Sequence, residues 1–307
     1  MSTVAAERRE RIAALAFDYA AQPKARVERC NLCGGAGFLV LTHRDRYGYP
    51  ATACGCTRCG LAFLDPVMTA EAYGQFYGAT YRPLVSAYHG RLIDVRTIQQ
   101  EQREYAAERG DLLEPYVAGF GYLTMLDIGG STGVVAQAFA RRFDLRATVV
   151  DPSPMETAEA QELGIETIEG LVEAVDLRGR RFDLITMCQT VDHLLDVAGT
   201  LARVRELLTP RGLLFLDIAD FRAAYLRTWS IEEAIKVDHP YYLIEPTMVA
   251  YLHRAGFEIV RTDYASDHLH VGYVARPATP ASDALPSRQD VEELWREIRY
   301  VQNAPRG

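Results

Sequence analysis

Nowhere in the 307 residues is there an apolar run long enough for a signal-peptide core or a membrane-spanning helix; the amino terminus passes from Glu7-Arg8-Arg9-Glu10-Arg11 into only the short stretch Ile12 to Phe17. A cytoplasmic protein without a membrane partner is expected. Excess positive charge is lacking too. The formal net charge is -8 and no Lys/Arg stripe is present, which argues against a nucleic-acid partner and favours small neutral or amphoteric ones. Cysteine is scarce outside one stretch, since five of the six lie between Cys30 and Cys59 and only Cys188 lies elsewhere. Nothing suggests disorder of the body: with 49% apolar residues the chain can bury one large core and a small satellite.

The cysteines that are present are arranged for a metal. Cys30-Asn31-Leu32-Cys33-Gly34 and Cys56-Thr57-Arg58-Cys59-Gly60 are two C-x-x-C-G knuckles, each turning two thiolates toward one point. Together Cys30, Cys33, Cys56 and Cys59 make the four soft ligands of a tetrahedral zinc. A redox or disulfide reading would need an oxidising compartment or a thioredoxin-like context. Cys54 offers a competing ligand but is left out, because the two knuckles already fill the coordination sphere. Four cysteine ligands leave no open position, so such a zinc holds structure and does no chemistry.

From Thr69 to Glu114 the spacing turns helical and aromatic, with helices expected at 70–77 and 90–113. Tyr73, Phe76, Tyr77 and Tyr88 read as packing for the zinc module. Tyr81 and Arg82 sit in an expected loop before Pro83, where they are free to close over a neighbouring pocket.

The main domain opens with Met125-Leu126-Asp127-Ile128 running into Gly129-Gly130-Ser131-Thr132-Gly133 and a helix over 134–142. A buried strand ending in such a turn and feeding a helix is the first unit of a nucleotide-type α/β site. The second strand, 146–151, ends on Asp151, about twenty residues after the turn, where a carboxylate grips a ribose diol. An acid before Pro152 is often only a helix cap, but the glycine turn upstream favours the ribose. Strands at 165–168, 182–188 and 213–218 follow with helices between them. A helix at 246–255 leads to a strand at 257–260 and an antiparallel last strand at 268–275. This alternation implies a mostly parallel sheet with helices on both faces, an α/β Rossmann-like fold.

These residues resemble a family. Asp127-x-Gly129-x-x-x-Gly133, Asp151, Phe182-Asp183-Leu184-Ile185, Leu208-x-Pro210-x-Gly212 and Gly256-Phe257 look like the ordered landmarks of class I S-adenosylmethionine-dependent methyltransferases, from about Gly121 to Ala275. A dinucleotide-binding dehydrogenase would prefer G-x-G-x-x-G, which the turn does not spell. The resemblance implies S-adenosylmethionine as cofactor, its methionine end at Asp127 and the Gly129, Gly130, Ser131 and Gly133 backbone, and its ribose at Asp151 and Pro152. Many members place an acid near the adenine after the third strand; here Gly170 and Leu171 stand there instead. Cys188 and Gln189 fall at the pocket mouth. With zinc knuckles ahead of the domain, the chain looks like the zinc-containing methyltransferases that act on sugars in antibiotic and surface-polysaccharide pathways. In the sugar C-methyltransferases among them an acid–His pair after the fourth strand carries the base, and Asp192-His193 matches it with Asp in place of Glu. Their large C-terminal domain has no counterpart here.

Methyl transfer asks for alignment and, for a hydroxyl or acidic C–H, removal of a proton. His193 suits that task, and His239 is the other candidate base. Their bland alternatives are a helix-start residue and a packing partner of Tyr241 and Tyr242. Residues 219–245 are too long for a simple connection, so they are expected to build the acceptor pocket, with a helix at 230–237. At the end of the chain Val291, Leu294, Trp295, Ile298 and Val301 follow helical spacing and should dock on the body or on a second subunit, as a homodimer. The chain thus divides into an N-terminal helix (1–25), a zinc-ribbon-like module (26–68), a helical lid (69–120), the cofactor domain (121–276), and a linker with a C-terminal helix (277–307). The acceptor expected is a small molecule, a carbohydrate. An RNA methyltransferase and a non-catalytic cofactor-binding assembly protein are the competing readings.

Overall fold

The computed structural model describes residues 3–177 and 179–304; residues 1–2 and 305–307 of the first and last expected segments lie outside the described residues. After helix α1 (Thr3–Ala13), strand β1 (Lys24–Ala25) pairs with β5 (Val67–Met68) and closes a small module. Inside it, β2 (Phe38–Thr42), β3 (Ala53–Cys56) and β4 (Ala62–Leu64) form an antiparallel sheet. No helix among the described residues is long and apolar enough to cross a membrane.

The helical lid differs from expectation. Helix α2 (Ala70–Gln75) runs through a π turn over Phe76–Thr80 straight into α3 (Tyr81–His89), so Tyr81 and Arg82 project from a helix and not from a loop. Pro83 falls in the first turn of α3, just after the π turn has shifted the hydrogen-bond register, so its missing N–H is tolerated. Gly90, at φ 68°, caps α3, and α4 (Val95–Val117) begins later than the spacing suggested because the Asp94 side chain accepts from Thr97 N at 2.9 Å.

The cofactor domain follows the expected alternation: β6 (Thr124–Ile128), α5 (Val134–Phe143), β7 (Arg146–Asp151), α6 (Pro154–Glu162), β8 (Glu166–Glu169), β9 (Phe182–Met187), α7 (Val197–Leu207) and β10 (Leu208–Ala219). Helices α8 (Phe221–Thr228) and α9 (Ile231–Ala234) and strand β11 (Tyr241–Tyr242) make up the insertion, then α10 (Glu245–Arg254), β12 (Phe257–Tyr264) and β13 (His270–Pro277) complete the domain. Sheet order is β12-β13-β10-β9-β6-β7-β8, with β13 antiparallel to both neighbours and the remaining pairs parallel. Every residue of β9 but Asp183 is buried, as a strand covered by helices on both faces must be.

Two contacts decide how the module meets the domain. Strand β11, from the insertion, pairs with β4 and becomes the fourth strand of the module's sheet. Helix α9 is shorter than expected because the chain leaves it at Ile235, whose carbonyl accepts from Arg46 N at 2.9 Å. One apolar core accordingly runs from Leu32, Leu61 and Phe63 of the module to Leu126, Ile128 and Val191 of the domain. The C-terminal helix α11 (Arg288–Asn303) lays Val291, Leu294, Trp295, Ile298 and Val301 on that same body. The Trp295 ring lies where a Cβ on Gly55 would be, 2.2 Å from its nearest atom. The apolar face that a homodimer through this helix would use is therefore occupied within the chain.

Candidate active site

A cavity of about 470 Å³ opens at the carboxyl ends of β6, β7 and β9 and under α3 and α4, a size typical of small-molecule sites and at the place where such sheets bind ligands. Its floor is the turn after β6. Gly129 has φ 71°, and a Cβ there would lie 2.5 Å from the Thr190 side chain, so only glycine lets the loop after β9 approach. Ser131 N donates to Asp151 Oδ2 and Ser153 N to Asp151 Oδ1, both at 2.9 Å. Burial, and after it Glu156, raises the Asp151 carboxyl to about 6. Arg82 reaches down from α3 to Glu156 Oε1, with Nε at 2.8 Å, and ties the lid to α6.

Tyr81, Arg82, Gly129, Ser131, Asp151, Pro152, Gly170, Leu171, Cys188 and Gln189 all line this cavity, as do Asp192, His193 and His239. Asp127, Gly130 and Gly133 do not. Asp127 is wholly buried beneath the turn, where Oδ1 accepts from Thr186 Oγ1 at 2.6 Å and Oδ2 has no partner; burial raises its carboxyl to about 7. Gly130 lies against it, and Gly133 stands 2.7 Å, as a Cβ, from Ala160 Cβ, so these three build the turn instead of facing the cavity.

At the far end the sequence neighbours Asp192 and His193 do not bond to each other. His193 Nδ1 lies 3.0 Å from the Asp238 carbonyl and 2.9 Å from Tyr77 Oη, whose own proton goes to the same carbonyl at 2.8 Å. A carbonyl only accepts, so Nδ1 carries the proton and Nε2 is left with a free lone pair. Burial holds the imidazole down to about 4. Asp192 instead faces His239: its Oδ2 accepts from Ala219 N at 3.1 Å and stands 3.9 Å from His239 Nδ1, while Oδ1 has no partner. Burial raises Asp192 to about 7. His239 Nε2 lies 3.1 Å from Lys236 Nζ, and since an ammonium only donates, that nitrogen is the acceptor. Asp238 Oδ2 lies 3.5 Å from the same nitrogen. With Nε2 accepting from Lys236 the His239 proton sits on Nδ1, 3.9 Å from Asp192 Oδ2, so His239 has no free lone pair, whereas His193 keeps one.

Tyr77, Lys236 and Asp238 were missed by the sequence reading. Tyr77 had been assigned to packing, and the link between Asp238 and His193 spans 45 residues. Residues of α4, among them Gln102 and Tyr105, also line the cavity. Tyr105 Oη donates to Asp217 Oδ2 at 2.8 Å and Gln189 N donates to Asp217 Oδ1 at 2.6 Å, so α4 and the loop after β9 share one buried anchor.

The loop bearing Lys236, Asp238 and His239 is held from the other side by the cysteine module. Val237 N donates to Asp45 Oδ2 at 3.1 Å and Leu64 N to the Pro240 carbonyl at 2.9 Å. In the module the sulfur atoms of Cys30, Cys33, Cys56 and Cys59 lie within 4.8 Å of one another, with Cys30–Cys59 and Cys33–Cys56 at 3.5 Å. All are free thiols and Cys54 stands outside the group. Tetrahedral zinc with bonds of about 2.3 Å would separate its sulfurs by about 3.8 Å, so the four fit that ion. Asn31, inside the first knuckle, donates to Asp196 Oδ1 at 2.7 Å and accepts from Ala198 N at 3.0 Å, which binds the knuckle to the start of α7.

A family model described as a methyltransferase domain matches residues 97–262. The chain is 35% identical over 103 residues to a ubiquinone biosynthesis O-methyltransferase of Methylobacterium sp. (strain 4-46), covering 30% of this chain and 39% of that protein. The chain therefore spans about two fifths of the length of that curated relative. Among solved structures, an O-methyltransferase family protein from Burkholderia thailandensis superposes with a TM-score of 0.52 at 13% identity, over 67% of this chain and 63% of that one. The mitomycin 7-O-methyltransferase MmcR gives 0.51 at 20% identity, over 67% and 60%. At these identities the likeness is one of fold.

Proposed function

The chain belongs to the methyltransferase domain family, and from that premise we propose that it methylates a small-molecule acceptor, a sugar or nucleotide-sugar, using S-adenosylmethionine, with a structural zinc in its N-terminal module. The observation that carries this reading is the single cavity in which the Gly129–Ser131 turn and Asp151 stand at one end and the open Nε2 of His193 at the other.

Bound S-adenosylmethionine supplies a sulfonium methyl that is already activated. The residues of the chain bind, orient and move a proton. Asp151 would offer its remaining lone pairs to the ribose hydroxyls, and Gly170 and Leu171 would border the adenine, with Glu173 in the same stretch of cavity wall. His193 takes the acceptor's proton on Nε2, and Tyr77 with the Asp238 carbonyl holds the ring in the tautomer that leaves this nitrogen free. His239 is a neighbour of the base and not the base, because Lys236 already donates to it. The aromatic face of Tyr81, 6.1 Å from the His193 ring, offers a wall for a sugar ring. Cys30, Cys33, Cys56 and Cys59 would hold the zinc, which closes the module without touching the cavity.

Calorimetry with S-adenosylmethionine tests the first half of this reading, and mass spectrometry of products from candidate sugars and sugar nucleotides tests the second. Failure to bind the cofactor would remove the enzyme reading. Native mass analysis should find one zinc per chain.

A further inference from the structure

Lys236 stands in the cavity wall beside both histidines, and the reading above uses it only as the donor to His239. Of the 33 lysine and arginine residues only two are lysine, Lys24 and Lys236. A compact ammonium on a flexible stem thus lines the cavity of a chain that otherwise uses the planar guanidinium fork. Its one hydrogen bond goes to His239 Nε2 at 3.1 Å. The charged and titratable groups facing it are Asp192, Asp238, Arg46, His193 and His239. Asp192 Oδ1 and Asp238 Oδ1 are buried without partners; burial lowers the Lys236 pKa, while Asp238 and Asp192 act the other way and favour its ammonium form.

Ligand atoms of His193, Asp238 and His239 lie within 4.8 Å of one another, a spacing that would suit a divalent ion. An ammonium at Lys236 competes with one. A metal bound through His239 Nε2 would meet a fixed positive charge at contact range. Lysine is therefore the electrophile at this end of the cavity.

We propose that Lys236 contacts the acceptor and receives the negative charge that forms on its reacting oxygen, so that the acceptor is a hydroxyl or enol and not an amine. The proposal rests on His193 being the base. The hydroxyl proton passes to His193 Nε2 and the electron pair of the O–H bond stays on the oxygen, facing Nζ. An amine would gain positive charge on methylation, beside an ammonium that repels it. A base held as low as His193 also needs this help, since it removes a proton from a neutral hydroxyl only where the resulting anion is stabilised.

The test uses the full chain saturated with S-adenosylhomocysteine and 4-nitrophenol as the probe, whose phenolate band reports its ionisation. In the wild type the bound probe should ionise at a pH lower by at least about one unit than in water, as an opposite charge within a few ångströms requires. Lys236→Met should abolish the shift, Lys236→Arg should keep part of it, and His193→Ala should keep it. A bound probe that titrates as in water, no saturable binding of the probe, or an undiminished shift in Lys236→Met would overturn the proposal. Calorimetry with S-adenosylhomocysteine separates the two readings. If that ligand does not bind, the methyltransferase reading fails and takes this one with it; if it binds and the probe is unshifted, this one fails alone.

Discussion

The proposed cofactor end of the cavity takes its residues from three successive strand ends, at Gly129–Ser131, Asp151–Ser153 and Gly170–Val172, while the proposed acceptor end draws Tyr77, His193, Lys236 and His239 from segments that meet across 45 to 116 residues. The first end is local. Each of these residues sits on the turn that ends its own strand, so the parallel sheet brings them together. The second end is assembled: its loop is gripped by Asp45, Leu64 and β11's pairing with β4, all of which belong to or complete the cysteine module. A module with no residue in the cavity wall thereby sets the geometry around His193.

The strongest way to break this comparison is to remove the metal proposed for the module. A chelator, or Cys56→Ser, should abolish methyl transfer while cofactor affinity by calorimetry changes by no more than a few fold; equal loss of both would show that the two ends are not separately built. Next in size, His193→Ala should lower turnover by about a hundred- to ten-thousand-fold, the usual contribution of a general base. His239→Ala should cost less. Asp151→Ala acts on the other end and should weaken cofactor binding by roughly ten- to a hundredfold, as expected for lost charge-assisted hydrogen bonds, with little change in turnover at saturation.

Acidity should separate the ends as well. Asp151 ionises at about 6, so cofactor affinity should fall as the pH drops through that value and the carboxylate takes up a proton. His193 is held at about 4 and stays unprotonated there, so turnover at saturating cofactor should persist to lower pH than an ordinary histidine, at about 6.5, would allow. Coincident acid limbs would contradict the assignment. The smallest effect is expected from Gly133→Ala, which places a Cβ 2.7 Å from Ala160 Cβ at φ 76°. It should lower stability by roughly 2 kcal/mol in thermal unfolding, with the residual fold still binding cofactor.

What could be read before the structure follows the same division. The glycine turn, Asp151 and the strands of the central sheet were legible because buried strands, turns and helices mark themselves in a window of a few residues. The four-cysteine cluster was legible for the same reason, each pair lying on one knuckle. Tyr81 and Arg82 line the cavity from a helix and not from the loop expected at 78–83, because a π turn over Phe76–Thr80 carries the helix past Pro83. Asp192-His193 matches the family's acid–His pair in sequence, yet the two side chains point apart and each finds a partner on the insertion.

By itself the order of residues determined an α/β domain of the methyltransferase type, the strand ends at which a cofactor would lie, and a four-cysteine cluster ahead of it. These depend on local periodicity and on spacing within one turn. Only the tertiary structure decided that the cysteine module buttresses the loop bearing Lys236, Asp238 and His239, that His193 keeps a free lone pair while His239 does not, and that Lys236 stands beside them. Those relations are set by long-range strand pairing and by burial, which single out a hydrogen-bond partner only once the chain has brought distant segments together.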